Sequence, residues 1–299
     1  MRSVKAENFN LKATIESGQI FRWSRSSNSG NSYNIIAGST IISVRQDGNT
    51  LEYGCNNKDF DVEKFLGLNH NYDSIIANIT KDKKIAAAIK KHHGLRLIEQ
   101  ELWECTASFI CSSFSNIPRI RQCIEKVSAT FGDKIEFDGV KAFSFPQPQQ
   151  INSWAKLKNC GLGYRAKYLF ETAKMFASSE VYSQQQLQQL SYEKAKEKLL
   201  ELPGVGSKVA DCILLFSCGF HEAFPVDVWI QRIMEDNYRS EIASFAANSS
   251  KAKKLNEKII AGFARHYFGK HAGYAQQFIY HSGRTEKKAR LAVSSSQIC

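Results

Sequence analysis

A tight glycine turn between two apolar helical runs constrains this chain more than any other stretch. It is Leu202-Pro203-Gly204-Val205-Gly206, followed at once by Ser207 and Lys208 at a helix start. Nineteen residues after Lys208 comes Asp227, behind Pro225 and heading a further apolar run. Two glycines bracketing Val205 keep side chains out of the way and present backbone N–H groups. Glycine permits positive φ, and the following helix offers its positive end, so the turn suits a phosphate oxygen. A lysine just inside that helix, with a carboxylate returning from a second helix N-terminus, points to an amine nucleophile beside an acid/base partner. The plainer alternative is a helix-turn-helix carrying a solvated lysine.

Composition narrows the partner. Forty Lys+Arg against twenty-nine Asp+Glu give a formal charge of +11, which favours a polyanion, nucleic acid first. At 299 residues and 43% hydrophobic content the chain can form two domains with real cores. It holds no apolar run of about 18 residues, so no membrane span is expected. The N-terminus, MRSVKAENFNLKATIESGQIF, lacks the features of a signal peptide, so the protein is expected inside the cell, with the DNA. The eight cysteines form no CxxC pair, which argues against a zinc ribbon or a redox pair. They are expected to be small buried hydrophobes.

The pattern of residues changes along the chain. Tyr33–Ala37, Thr40–Val44 and Thr50–Tyr53 alternate as strands, with a hairpin turn at Asp47-Gly48. From about 95 the period becomes helical, over Glu101–Ser113 and Ile117–Phe131. Further helices are predicted over Tyr164–Ala177, Tyr192–Leu202, Ser207–Cys218, Val228–Glu235, Lys251–Tyr267 and Gly273–Ser282. Gly219 is the candidate C-cap of the Lys208 helix, and Ser249 or Ser250 a later N-cap. The fold class is therefore α+β. Residues 1–92 are expected to form an antiparallel β-sheet domain, 93–284 an α-helical domain, and 285–299 a basic, frayed tail.

Five blocks in order carry a resemblance that spans nearly the whole chain. They are Ser17-Gly18-Gln19-Ile20-Phe21-Arg22-Trp23, Ser108 to Ser113, Gly161 to Tyr168, Lys208 to Cys212, and Ala272 to Gln276. Together with the turn and Asp227 they resemble the helix-hairpin-helix DNA glycosylases that end in a Gly/Pro-rich loop and a catalytic aspartate. Within these the chain is similar to the 8-oxoguanine DNA glycosylase/AP lyase branch. The resemblance implies an N-terminal sheet like half of a TATA-binding protein, joined to a helix-hairpin-helix domain. It implies excision of 8-oxoguanine from duplex DNA by a monomer, then strand nicking by β-elimination, in base excision repair.

The roles follow residue by residue as what the resemblance implies. Lys208 attacks C1′ of the damaged nucleotide and forms a Schiff base; an amine does so only when neutral, a state that desolvation or nearby cations favour. Asp227 assists it and stabilises the oxocarbenium-like sugar, though a carboxylate at a helix start also serves as an N-cap. Gly18 accepts through its carbonyl the N7–H that distinguishes 8-oxoguanine from guanine; without the resemblance it is a plain turn glycine. Gln276 reads the Watson–Crick edge, and Tyr280 and Cys212 wall the flipped base. Gly204, Gly206 and Val209 meet the DNA backbone. Tyr164 wedges into the duplex, while Arg165 and Arg119 read the orphaned cytosine. Asn116 belongs to the same DNA-facing turn.

Three departures touch this set. Phe114 stands where the common eukaryotic pattern has the first of three asparagines, so it can stack but cannot hydrogen-bond. Trp229 replaces a histidine two residues beyond the aspartate, and Gly283 replaces an acidic residue. Phe114 and Trp229 could instead fill core space. No cofactor is implied for catalysis. An iron–sulfur cluster needs four close cysteines after the aspartate, and only Cys299 follows Asp227. The hairpin backbone could hold a monovalent or calcium ion. Two rivals are an alkyl-purine glycosylase, against which Lys208 and the Ser17-Gly18-Gln19 block weigh, and a non-catalytic DNA-binding module, against which Asp227 weighs.

Overall fold

The computed structural model describes residues 1–26, 31–248 and 255–296. Alternating apolar residues near the N-terminus form a five-stranded antiparallel sheet. Its strands are β1 (Arg2–Lys5), β2 (Trp23–Arg25), β3 (Ser32–Ala37), β4 (Thr40–Asp47) and β5 (Thr50–Cys55), in the order β1-β5-β4-β3-β2. Gly48, at φ +54, lets the chain reverse between β4 and β5, whose ends pair Asp47 with Thr50. The register pairs Tyr33 with Val44 and Ile35 with Ile42. That buries one face of the sheet against Leu11 and Ile15 of α1 (Leu11–Glu16), Phe65 of α2 (Val62–Phe65), and Ile98.

The helical region contains α3 (Tyr72–Ile79), α4 (Lys83–Lys91), α5 (Leu102–Ser112), α6 (Ile117–Phe131), α7 (Trp154–Lys158), α8 (Arg165–Ser178) and α9 (Gln184–Gln188). It continues with α10 (Tyr192–Leu200), α11 (Ser207–Phe216), α12 (Val228–Asn248), α13 (Glu257–Phe268) and α14 (Ala272–Ser296). Every residue of α11 from Val209 to Phe216 is buried, as suits the central helix of a core. Asp211 is tolerated there because Lys196 and the Tyr192 hydroxyl reach its carboxylate at 2.8 and 2.5 Å.

Four features go beyond the reading of the sequence. The composition change near residue 92 does not divide the core: Tyr72, Ile75 and Ile79 of α3 and Ile85 and Ile89 of α4 pack with the helices, not with the sheet. A second hairpin, β6 (Lys134–Phe137) and β7 (Val140–Phe143), was not anticipated, although Asp138 and Gly139 make its turn at φ +50 and +75. The helix after Asp227 runs past Glu235 and kinks at Tyr238 (φ −131, ψ 21), and both Tyr238 and Ile242 are buried. At the kink Lys84 donates to the Asn237 carbonyl. The segment expected to fray continues α14 to Ser296, since its Glu, Lys, Ala and Arg are strong helix formers. Ser249 and Ser250 lie outside the described residues, and Asn256 caps α13 instead. Among the described residues no helix is long and apolar enough to cross a membrane.

Candidate active site

The site begins at the turn between α10 and α11. Val205 N donates to Leu202 O at 3.1 Å, and Thr172 Oγ1 of α8 holds Pro203 O at 2.9 Å. Gly204 sits at φ +81, and a Cβ there would come within 2.6 Å of Tyr168 Cβ, so no other residue fits. Gly206 is extended and caps α11 without a side-chain hydrogen bond, and nothing lies within 4 Å of where its Cβ would be. The first-turn N–H groups of α11 have no intrahelical partner and stand at the positive end of the helix. Val209's side chain is buried, so what it can offer DNA is its backbone N–H.

Lys208 lies half-buried on the first turn of α11. Its Nζ donates to Ser112 Oγ at 3.4 Å and stands 5.1 Å from the Phe109 ring centroid. One turn on, burial pushes the Cys212 thiol up to about 12, while the Lys208 charge pulls it down and the Asp227 carboxylate pushes it further up. The buried Asp211 carboxylate pushes the same thiol up as well. Asp227 Oδ1 accepts from Ile230 N at 2.8 Å, which caps α12 and fixes the carboxylate's direction. The Cys212 thiol stays neutral and offers an apolar wall beside them.

The candidate base pocket is completed by α14 and the turn after α1. Gln276 is 5% exposed; its Nε2 donates to Pro225 O at 3.2 Å, and its buried Oε1 has no partner among the described residues. Tyr280 lies one turn further, its phenol pushed up to about 12 chiefly by desolvation. Gly18, at φ +92, faces it: a Cβ on Gly18 would come within 3.4 Å of Tyr280 Cε1 and 2.6 Å of Arg284 Nη1. Gln277 Nε2 and Arg284 Nη1 both donate to Ser17 O at 3.1 Å, which holds the peptide leading into Gly18.

The residues expected to face DNA are arranged less uniformly. Phe114 is fully exposed at φ +49, so it fills no core space. Tyr164, 55% exposed, stands at the start of α8. Asn116 caps α6 by accepting from Arg119 N at 3.0 Å, and Arg119 itself is exposed, with Nη2 on Gly161 O at 3.3 Å. Arg165 is not held out for a base: it is 5% exposed, and its Nη1 donates to Ser113 O at 2.6 Å. Its guanidinium instead anchors the turn that presents Phe114. Trp229 is half-buried and lines a groove of about 770 Å³ with Lys84, Lys91 and Arg232. Gly283 also lines it; a Cβ there would press within 2.5 Å of Ile233 Cδ1.

Sequence reasoning missed Ser112, which receives Lys208, and Arg284, which follows Tyr280 by one helical turn. Among the described residues no group of three or more His, Cys, Asp or Glu side chains could hold a metal ion.

Comparison with known proteins agrees with this geometry. Residues 2–106 match the family model for the N-terminal domain of 8-oxoguanine DNA glycosylase. A probable N-glycosylase/DNA lyase of Methanothermobacter thermautotrophicus is 31% identical over 247 residues, 75% of this chain and 71% of the relative. The N-glycosylase/DNA lyase of Saccharomyces cerevisiae is 33% identical over 244 residues, 74% of this chain and 64% of that longer protein. The Clostridium acetobutylicum 8-oxoguanine glycosylase/lyase, solved with duplex DNA carrying cytosine opposite 8-oxoguanine, superposes with a TM-score of 0.83. It is 28% identical, and the match covers 96% of this chain and 99% of that one. The chain belongs to the 8-oxoguanine DNA glycosylase family of N-glycosylase/DNA lyases.

Proposed function

We propose that this protein removes 8-oxoguanine from duplex DNA and then nicks the strand, with Lys208 as nucleophile and Asp227 as its electrostatic partner. The observation that carries the reading is the half-buried Lys208 on the first turn of α11, its Nζ on Ser112 Oγ, in a chain whose Asp227 is oriented at the start of α12 by its bond to Ile230 N. Neutral Lys208 attacks C1′; the glycosidic bond breaks, and the base departs with the bonding pair and takes up a proton. Cationic character on the sugar is stabilised by Asp227. Opening of the sugar ring gives an imine between C1′ and Nζ. The imine acidifies the C2′ proton, whose loss expels the 3′ phosphate and breaks the strand.

The remaining residues recognise and hold the DNA in this reading. The N–H groups at the start of α11, flanked by Gly204 and Gly206, receive backbone phosphates, with Trp229 packing nearby. Tyr164 and Phe114, both exposed aromatics, enter the duplex, and Arg119 reads the opposite base. Arg165 positions Phe114 through Ser113 O, and reading cytosine directly would require it to leave that bond. The flipped base lies between Tyr280 and Cys212. Its N7–H meets Gly18, and its Watson–Crick edge supplies the donor that Gln276 Oε1 lacks. Leu202 O and Pro203 O each keep a second lone pair, so the hairpin fits a monovalent or calcium ion that would brace the turn. No chemical step passes through that ion.

The test is single-turnover incubation with a labelled duplex holding 8-oxoguanine opposite cytosine. Release of the base and a nick at the lesion without added alkali are expected. An uncut strand that still holds its base contradicts the proposal.

A further inference from the structure

Gln276, Tyr280 and Arg284 are spaced four residues apart on α14, so they form one stripe about 12 Å long. Gln276 is its buried end, with an acceptor that no described residue satisfies. Arg284 is the other end, half-buried, with Nη1 on Ser17 O at 3.1 Å and its guanidinium 5.3 Å from the Tyr280 ring centroid. The same Nη1 lies 2.6 Å from where a Gly18 Cβ would be. The guanidinium therefore stands directly over Gly18 and beside the aromatic wall.

A purine between Tyr280 and Cys212, with its Watson–Crick edge on Gln276, turns its imidazole edge toward the Gly18 and Arg284 end. That edge is where oxidation acts: C8–H becomes C8=O and N7 gains a hydrogen. We propose that Arg284 is a specificity-determining residue that donates a hydrogen bond to O8 of the flipped base, an inference that rests on the function proposed above. A guanidinium carries five N–H donors in a fixed fork, so it can hold Ser17 O and still present a donor to O8. Guanine places a C–H there and leaves that donor desolvated and unpaired, which penalises the undamaged base. Gly18 and Arg284 thus sense the two halves of the same lesion, N7–H and C8=O.

The experiment compares 8-oxoguanine with 8-thioguanine, which keeps N7–H but replaces O8 with a poorly accepting sulfur. Single-turnover excision of both, opposite cytosine, is measured for the wild type, Arg284→Leu and Arg284→Lys. Arg284→Leu should slow excision of 8-oxoguanine about tenfold or more, the worth of one good base contact, and change the thio lesion far less. Arg284→Lys should restore part of the oxo/thio ratio. Borohydride trapping at a preformed abasic site, which holds no base, reports whether each variant is folded. If Arg284→Leu fails that control, Arg284→Met keeps the unbranched stem and the same ratio decides. Equal slowing of both lesions, or of neither, overturns the role of Arg284 while the proposed function stands. A wild type that excises neither lesion overturns both.

Discussion

Replacing Phe114 with asparagine should make the protein more stable and more selective at once. Phe114 is fully exposed, so the substitution forfeits no burial, and it removes an apolar ring from water. At φ +49 its backbone is left-handed, which costs an ordinary residue about 1–2 kcal/mol but which asparagine tolerates. The variant should gain about 1 kcal/mol, raising the melting temperature by roughly 1.5–2 °C for a chain of this size. On DNA the exchange runs the other way for affinity. An aromatic stacks on any base for about 1–3 kcal/mol, without sequence preference. An amide forms directional hydrogen bonds, each worth about 1–3 kcal/mol of discrimination. Phe114→Asn should therefore weaken binding overall and steepen the preference for cytosine opposite the lesion by roughly tenfold. The assay is a melting curve together with single-turnover excision from duplexes holding each of the four bases opposite 8-oxoguanine. A lower melting temperature, or an unchanged margin between cytosine and the other three bases, refutes the reasoning.

Three further outcomes are expected. Asp227→Asn should cut excision by about a hundredfold or more, yet shift stability by under roughly 0.5 kcal/mol, because asparagine caps α12 as well as aspartate; normal turnover would leave Asp227 a cap alone. Burial and the nearby His70 and His271 lower His221 to about 4, against the pull of Glu99, so the unfolded chain binds the proton first as pH falls. Stability should drop between about pH 6.5 and 4, and His221→Gln should flatten that drop in a series of melting curves; an unchanged slope counts against it. Affinity for undamaged duplex should fall steeply between low and physiological salt, measured by titration at several salt concentrations, since +11 of formal charge implies counterion release.

What could be read from the sequence, and what could not, divides along physical lines. The three central strands showed because β-branched residues alternate around Asp47-Gly48, whereas β1 and β2 are short edge strands defined only by their partners. The Asp138-Gly139 hairpin carried the same turn signal, hidden because helical periodicity surrounds it. Burial of α3 and α4 with the helices is a tertiary fact that local composition does not encode. At the candidate site, the helix starts that carry Lys208 and Asp227 were legible from a turn, Pro225 and a fixed spacing. Arg165 was legible as a residue but not as a buried anchor, which depends on where Ser113 falls in space. Arg284 escaped because its place on the Gln276–Tyr280 stripe exists only if α14 continues beyond Gly283.

The most direct test of the account is borohydride reduction of the complex with an 8-oxoguanine duplex, followed by mapping of the cross-linked peptide. The account predicts a covalent adduct on Lys208, and none from Lys208→Gln, which cannot form an imine yet should still bind the duplex. An adduct on another amine, or normal trapping by Lys208→Gln, would contradict it.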